Sequence, residues 1–268
     1  MKISLFIRNL LYKASEYCEH IIYRNSPNFS VLCFHSFSTS GYQYSTHPDT
    51  FKKILDTLMS RGSFVDSTEL VHVLSGHKNH TPQYLLTIDD GYKSVLKIAP
   101  IIRRYNIPVI LFVLSDPQRA ARKELGTNEE LLTWEDIKKL IALGWRIGSH
   151  SETHPNFTQL SEADLKSEII KSKKNLENRL KVCIEDFAYP RGFHNEQIVS
   201  IVRDSGYKRA YTLSSNYISK GINMFTIPRI SFDKTHNESA IPGMLSRVFL
   251  LFRKYTDSLH IWEKFIYD

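Results

Sequence analysis

Two adjacent carboxylates, Asp89 and Asp90, close an apolar run in QYLLTIDDGYK (83–93), and two imidazoles, His150 and His154, stand in GSHSETHP (148–155). One aspartate can serve as a helix cap. A pair of acids at the end of a buried strand is costly unless a cation uses them. Two histidines four apart place both rings on one side of a helical turn. With one carboxylate they make three protein ligands and leave a position for water, the pattern of a catalytic zinc site. The spacing alone is weak, since 11 histidines in 268 residues give roughly 0.45 such pairs by chance. Its strength lies in placement, because acids and histidines alike follow buried strands.

Those strands and their helices have to position the site. Tyr84, Leu85, Leu86 and Ile88 read as a buried strand, Gly91 permits a sharp exit, and SVLKIAPIIRRY (94–105) continues at helical spacing. VLCF (31–34) predicts a first strand with His35 at its tip. Residues 64–65, 108–114, 145–148, 187–188, 207–213 and 225–230 predict the others. Between them, Pro48 opens a helix that stops at Gly62, Thr133 caps WEDIKKLIALG, and Ser161 caps a helix through Leu180. Further helices are expected from Ser67 to about Ser75 and over EQIVSIVRDSG (196–206). The alternation predicts a mostly parallel sheet, open or closed into a barrel. In such a fold the strand C-termini share one face, which would gather His35, Asp89, Asp90, His150, His154 and the turn from Tyr189 to Gly192. His77 and His80 read as residues of a solvated loop.

The chain is 42% apolar and 24% charged, ordinary for a globular protein, with net charge +7. Its basic residues are scattered, which argues against nucleic acid as a partner. Cys18, Cys33 and Cys183 lack metal-type spacing and suggest buried thiols in a reducing compartment. The first residues do not read as a secretory signal, and no stretch has the ~18 apolar residues of a spanning helix. Residues 3–22 carry Ile3, Phe6, Ile7, Leu10, Leu11, Ala14, Cys18, Ile21 and Ile22 on one helical face. Packing of that face on the domain is the expected use, and lying on a membrane surface is the alternative. The tail, residues 241–267, is apolar and aromatic with interspersed Arg and Lys, and is expected to form a docked helix.

TIDDGY, GSHSETHP and FAYPRG, in that order, resemble the three leading motifs of the polysaccharide deacetylases, carbohydrate esterase family 4 with its NodB-homology domain. The third motif is similar to the variant that reads Phe-Ala-Tyr-Pro, and VLCFHS and PRI resemble the first strand and closing segment of the same subgroup. The resemblance implies a distorted (β/α) barrel of about seven parallel strands. It also implies a hydrolase of carbon–nitrogen amide bonds that removes N-acetyl groups from an aminosugar in a glycan or lipid-linked glycan precursor. By that resemblance Asp90, His150 and His154 hold a divalent metal, for which zinc suits the donors and Co²⁺, Ni²⁺, Fe²⁺ or Mn²⁺ would also fit. Asp89 is then the base, the backbone N–H of Arg191 an oxyanion donor, and Tyr189 and Arg191 substrate-binding residues. Ser151 and Thr153 are candidates for supporting hydrogen bonds.

The chain departs from the common pattern at three points. Ala188 stands where an arginine usually orients the base, and Arg229 could reach that carboxylate from a neighbouring strand. Arg191 replaces a tyrosine and would favour an anionic substrate. The late motif that supplies the general acid has no match, which leaves His35 at a strand tip or His236 in a polar turn. The expected organisation is an N-terminal amphipathic helix (1–25), a catalytic domain (26–235) and a helical tail (236–268). The expected location is the cytoplasm, with peripheral contact on the inner face of the membrane. A deformylase or other amidase on an aminosugar, and a catalytically silent carbohydrate-binding domain, are the alternatives.

Overall fold

Strands covered on both faces have no solvent side to fill with polar residues, so they read as unbroken apolar runs. The computed structural model, which describes residues 5–23, 29–75, 81–214, 216, 218 and 220–258, builds its frame from such runs. The strands are β1 (Phe29–Phe34), β2 (Ser63–Phe64), β3 (Gln83–Ile88), β4 (Val109–Val113), β5 (Arg146–Ser149), β6 (Asp186–Ala188), β7 (Arg209–Tyr211) and β8 (Ile230–Ser231). Every pairing among them is parallel, in the order β7-β6-β5-β4-β3-β1-β8, with β2 beside the start of β3. The helices are α1 (Leu5–Ile22), α2 (Pro48–Met59), α3 (Glu69–Leu74), α4 (Ala99–Tyr105), α5 (Arg122–Leu125), α6 (Trp134–Ala142), α7 (Glu162–Leu180), α8 (Glu196–Asp204), α9 (Ile241–Met244) and α10 (Arg247–Ser258).

The sheet curls into a half-barrel whose two edges meet at one short segment. Ile227 donates its N–H to Ala210 O at 2.9 Å and accepts from Thr212 N at 2.8 Å, beyond the β7 edge. A few residues on, Ile230 pairs with Leu32 of β1 and Phe232 N donates to Cys33 O at 2.9 Å. The expected strand over 225–230 is thus reduced to β8 and a single bridge, since Pro228 has no N–H for a ladder.

Side chains alternate across this sheet with period two. Val31, Leu85, Ile110, Phe112, Ala188 and Tyr211 form one buried cluster. Leu32, Leu86, Leu111, Ile147, Phe187 and Ala210 belong to the larger cluster under the helices. Helix starts follow local chemistry. Thr133 and Asp136 form a capping box on α6, and Ser161 Oγ caps α7.

The structure departs from the sequence reading in three places. The helix expected from Ser94 begins as a 3-10 turn (Lys93–Lys97) and becomes α4 only at Ala99, because Pro100 restricts the residues before it. Of the cysteines only Cys33 is buried, and all three are free. Finally, α1 does not bury its apolar face: Phe6, Leu10, Tyr17 and Ile21 point to solvent, and Tyr12 and Ser15 are its buried residues. His77, His80, Ile3 and the tail beyond Ser258 lie outside the described residues.

Candidate active site

Three loops leave the C-terminal ends of β3, β5 and β6 and bring the predicted groups together. Asp90 Oδ1 lies 3.3 Å from His150 Nε2 and 3.4 Å from His154 Nε2. All three residues are buried. His150 Nδ1 is 2.8 Å from the carbonyl of Ala188, which can only accept, so Nδ1 carries the proton and Nε2 turns its lone pair toward Asp90. Oδ1 is buried without a hydrogen-bond partner. A lone pair aimed at an orphaned anionic oxygen is unfavourable for protein alone, and a cation between them removes the conflict. Burial lowers the His150 imidazole, but the neighbouring Asp89 and Asp90 carboxylates outweigh it and raise the group above its usual value. A second proton on Nε2 is therefore the other way to remove the conflict, and a bound cation would displace that proton. Burial dominates at His154, which is pushed down to about 4.

Asp89 faces a different partner. Arg229, fully buried, grips it in a two-point fork, Nη1 to Oδ1 and Nη2 to Oδ2, each 2.6 Å. The guanidinium is itself held by Thr212 O at 3.0 Å and Thr87 Oγ1 at 3.2 Å, and it lies 5.4 Å from the Phe112 ring centroid. Burial alone would raise the Asp89 carboxyl, but the charges of Arg229 and His150 hold it below the ordinary carboxylate range. Arg229 thus reaches the Asp89 carboxylate from the closing segment of the sheet. His35 is also here: its side chain, Cys33 and Asp89 present polar atoms within 4.8 Å of one another, and its Nδ1 is buried without a partner.

Backbone strain concentrates at these loops. Among the described residues, six other than glycine have positive φ. Asn106 and Lys181 end helices, where the left-handed conformation is ordinary. The other four are Asp90 (69°), Ser151 (70°), His154 (62°) and Arg191 (58°). Each costs on the order of 1 kcal/mol and persists only where surrounding contacts impose it. The HxxxH pair is therefore set by a strained loop and not by the helical turn its spacing suggested. Glu168 of α7 does much of the imposing: Oε2 accepts from the backbone N–H groups of Glu152 and Thr153, both at 2.9 Å, and Oε1 accepts from Thr153 Oγ1 at 2.7 Å. Ser151 Oγ accepts from His154 N at 2.9 Å.

The model of the family described as polysaccharide deacetylase matches residues 76–210, half of the chain. This chain belongs to the polysaccharide deacetylase family. It is accordingly a hydrolase of the deacetylase class, acting on an amide bond. The Bacillus subtilis protein YxkH is 25% identical over 222 residues, covering 82% of this chain and 74% of that one. The Staphylococcus aureus poly-beta-1,6-N-acetyl-D-glucosamine N-deacetylase is 23% identical over 212 residues, covering 75% and 72%. Among solved structures, IcaB from Ammonifex degensii has a TM-score of 0.70 at 24% identity, covering 84% of this chain and 98% of that one. The Streptococcus pyogenes deacetylase PplD has a TM-score of 0.69 at 21% identity, covering 81% and 97%. These two structures share the curled parallel sheet of the family.

Within this deacetylase, the expectations for Tyr189 and His236 need correction, and Arg191 has a partner within the chain. The Tyr189 side chain is fully buried and donates to Phe225 O at 2.9 Å, so it is not presented to a substrate. Arg191 pairs through Nη2 with Glu124 Oε2 at 2.9 Å and stays partly exposed, so a substrate anion would have to compete with that carboxylate for it. His236 points away into the contact with α1, 3.1 Å from Tyr12 Oη. Sequence reasoning missed Glu168, an acid among many on a charged helix. It also missed Glu129, which gathers Ser36 (2.6 Å), Ser38 and Ser40 (2.5 Å each) and ties the loop after β1 to the segment before α6. The serine-rich run SFSTSGYQYS (36–45) was the one visible signal for it.

Proposed function

We propose that this deacetylase hydrolyses the N-acetyl amide of an aminosugar in a glycan or lipid-linked glycan precursor, with Asp90, His150 and His154 holding a divalent metal and Asp89 as base. The observation that carries the reading is the orphaned, buried Asp90 Oδ1 faced by two imidazole nitrogens, beside a second carboxylate locked by arginine. One oxygen and two imidazole donors fit zinc best among the common divalent ions. When bound, the metal would polarise the acetyl carbonyl and acidify a water. Asp89 is kept ionised by Arg229 and is held in one rotamer, ready to take a proton from that water. The turn at Pro190–Gly192 sets the Arg191 backbone N–H as a donor to the developing oxyanion. Proton delivery to the departing nitrogen falls to His35, since its Nδ1 is free of other bonds and His236 is engaged elsewhere. Supply of the base-orienting arginine by the closing segment supports membership of the subgroup whose third motif reads Phe-Ala-Tyr-Pro.

The two aspartates separate in the test. Asp90→Ala and His150→Ala should lose bound metal in elemental analysis. Asp89→Asn should keep the metal and lose acetate release from N-acetylated glucosamine oligomers. Unchanged metal content in Asp90→Ala and His150→Ala would overturn the ligand assignment. Metal bound without release from any N-acetylated sugar would point to a carbohydrate-binding role.

A further inference from the structure

Helix α1 is docked with the opposite face to the one a surface helix normally buries. At 3.6 residues per turn, residues 8, 12, 15 and 19 form one stripe and residues 6, 10, 17 and 21 form another on the far side. The docked stripe is polar. Arg8 donates to Thr235 Oγ1 at 2.7 Å and Thr235 O at 3.0 Å, Tyr12 Oη bonds His236, and Glu19 Oε2 accepts from Val248 N at 3.2 Å. The outward stripe is Phe6, Leu10, Tyr17 and Ile21, with exposures of 76%, 57%, 69% and 58%. A helix of a globular protein turns its apolar stripe to the core, and a contiguous apolar surface left outside marks an interaction site.

We infer that this face of α1 lies in the interface of a bilayer that carries anionic lipid. Charge selects the occupant. The chain has a net charge of +7, so a second copy would bring like charge against like, whereas an anionic surface attracts it. Exposed Lys13 borders the stripe one turn before Tyr17, where a lipid phosphate would sit, and Tyr17 suits the same depth with its apolar ring and polar tip. Among the described residues no helix is long and apolar enough to cross a membrane, so α1 lies on the surface. The docking contacts also link α1 to the loop after β1. The segment that Arg8 holds reaches the loop after β1, through Gln43 to Asp233 at 3.1 Å and Lys234 to Gly41 O at 2.8 Å, and Tyr44 of that loop packs on His35.

The inference stands apart from the catalytic reading and is tested without turnover. The full chain is floated with vesicles of phosphatidylcholine alone and of phosphatidylcholine with phosphatidylglycerol. It should float with the anionic vesicles, less so as salt is raised. Leu10→Glu/Ile21→Glu should reduce binding by about tenfold or more at unchanged melting temperature and metal content, since both positions are exposed. Equal flotation of wild type and variant, or no flotation of wild type, would overturn the inference. So would sedimentation as a dimer that the variant dissociates, which would give the face to a second copy.

Discussion

Removing Arg229 tests whether the base is held by the fork seen in the structure. Arg229→Met keeps most of the side-chain volume and deletes the charge. Asp89 is then left buried with no guanidinium against either oxygen. Breaking a buried pair from one side costs about 3–5 kcal/mol, because the remaining charge stays desolvated. Thr212 O also loses its donor, which adds about 1 kcal/mol. For a chain of this size the melting temperature should fall on the order of 10 °C. Asp89→Asn alone leaves Arg229 facing a neutral amide and should cost less. In the double variant neither charge remains, so the loss should be smaller than the sum of the single losses by about 2 kcal/mol or more. Independent sites add to within about 0.5 kcal/mol. Urea unfolding of the four proteins, followed by tryptophan fluorescence, measures the cycle. Additivity within that margin would refute the claim that Arg229 and Asp89 form one coupled unit.

Glu168→Gln should loosen the loop carrying His154 and weaken metal retention about 10–100-fold in competition with a chelator, although Glu168 touches none of the three ligands. Gly148→Ala would put a methyl 2.4 Å from two Phe112 ring carbons, so stability should drop by about 1–3 kcal/mol in urea. Acetate release should fall with it, because Phe112 supports the Arg229 guanidinium. At the far end of the barrel, Lys208 first, and then Arg209, hold the Glu185 carboxyl down at about 2 against an ordinary 4.5. A depressed acid stabilises the fold above its unfolded pKa. Glu185→Gln should therefore be less stable than wild type at neutral pH, and thermal melts should show the gap closing as pH falls from about 4.5 toward 2.

Much of the site was legible in the sequence because its placement is local. Apolar runs covered on both faces define strands, and the first polar residues after them must sit at strand ends. That puts Asp89, Asp90, His150 and His154 on one rim before any contact is known. Helix caps at Thr133 and Ser161 are local in the same sense, since donor and acceptor lie within one turn. What the sequence could not decide depends on which distant groups meet. Arg229 and Asp89 are 140 positions apart, and only closure of the sheet by residues 227–232 brings the fork onto the carboxylate. The histidine spacing fits a helix and a strained loop equally, and the choice was made by Glu168 from another element. Arg191 carries a charge in the sequence, and only the fold gives it Glu124, 67 positions away, as a partner. For α1 the sequence determined an amphipathic helix, and tertiary contacts decided its orientation: Thr235, His236 and Val248 offer polar partners to its polar stripe, so the apolar stripe is left facing out.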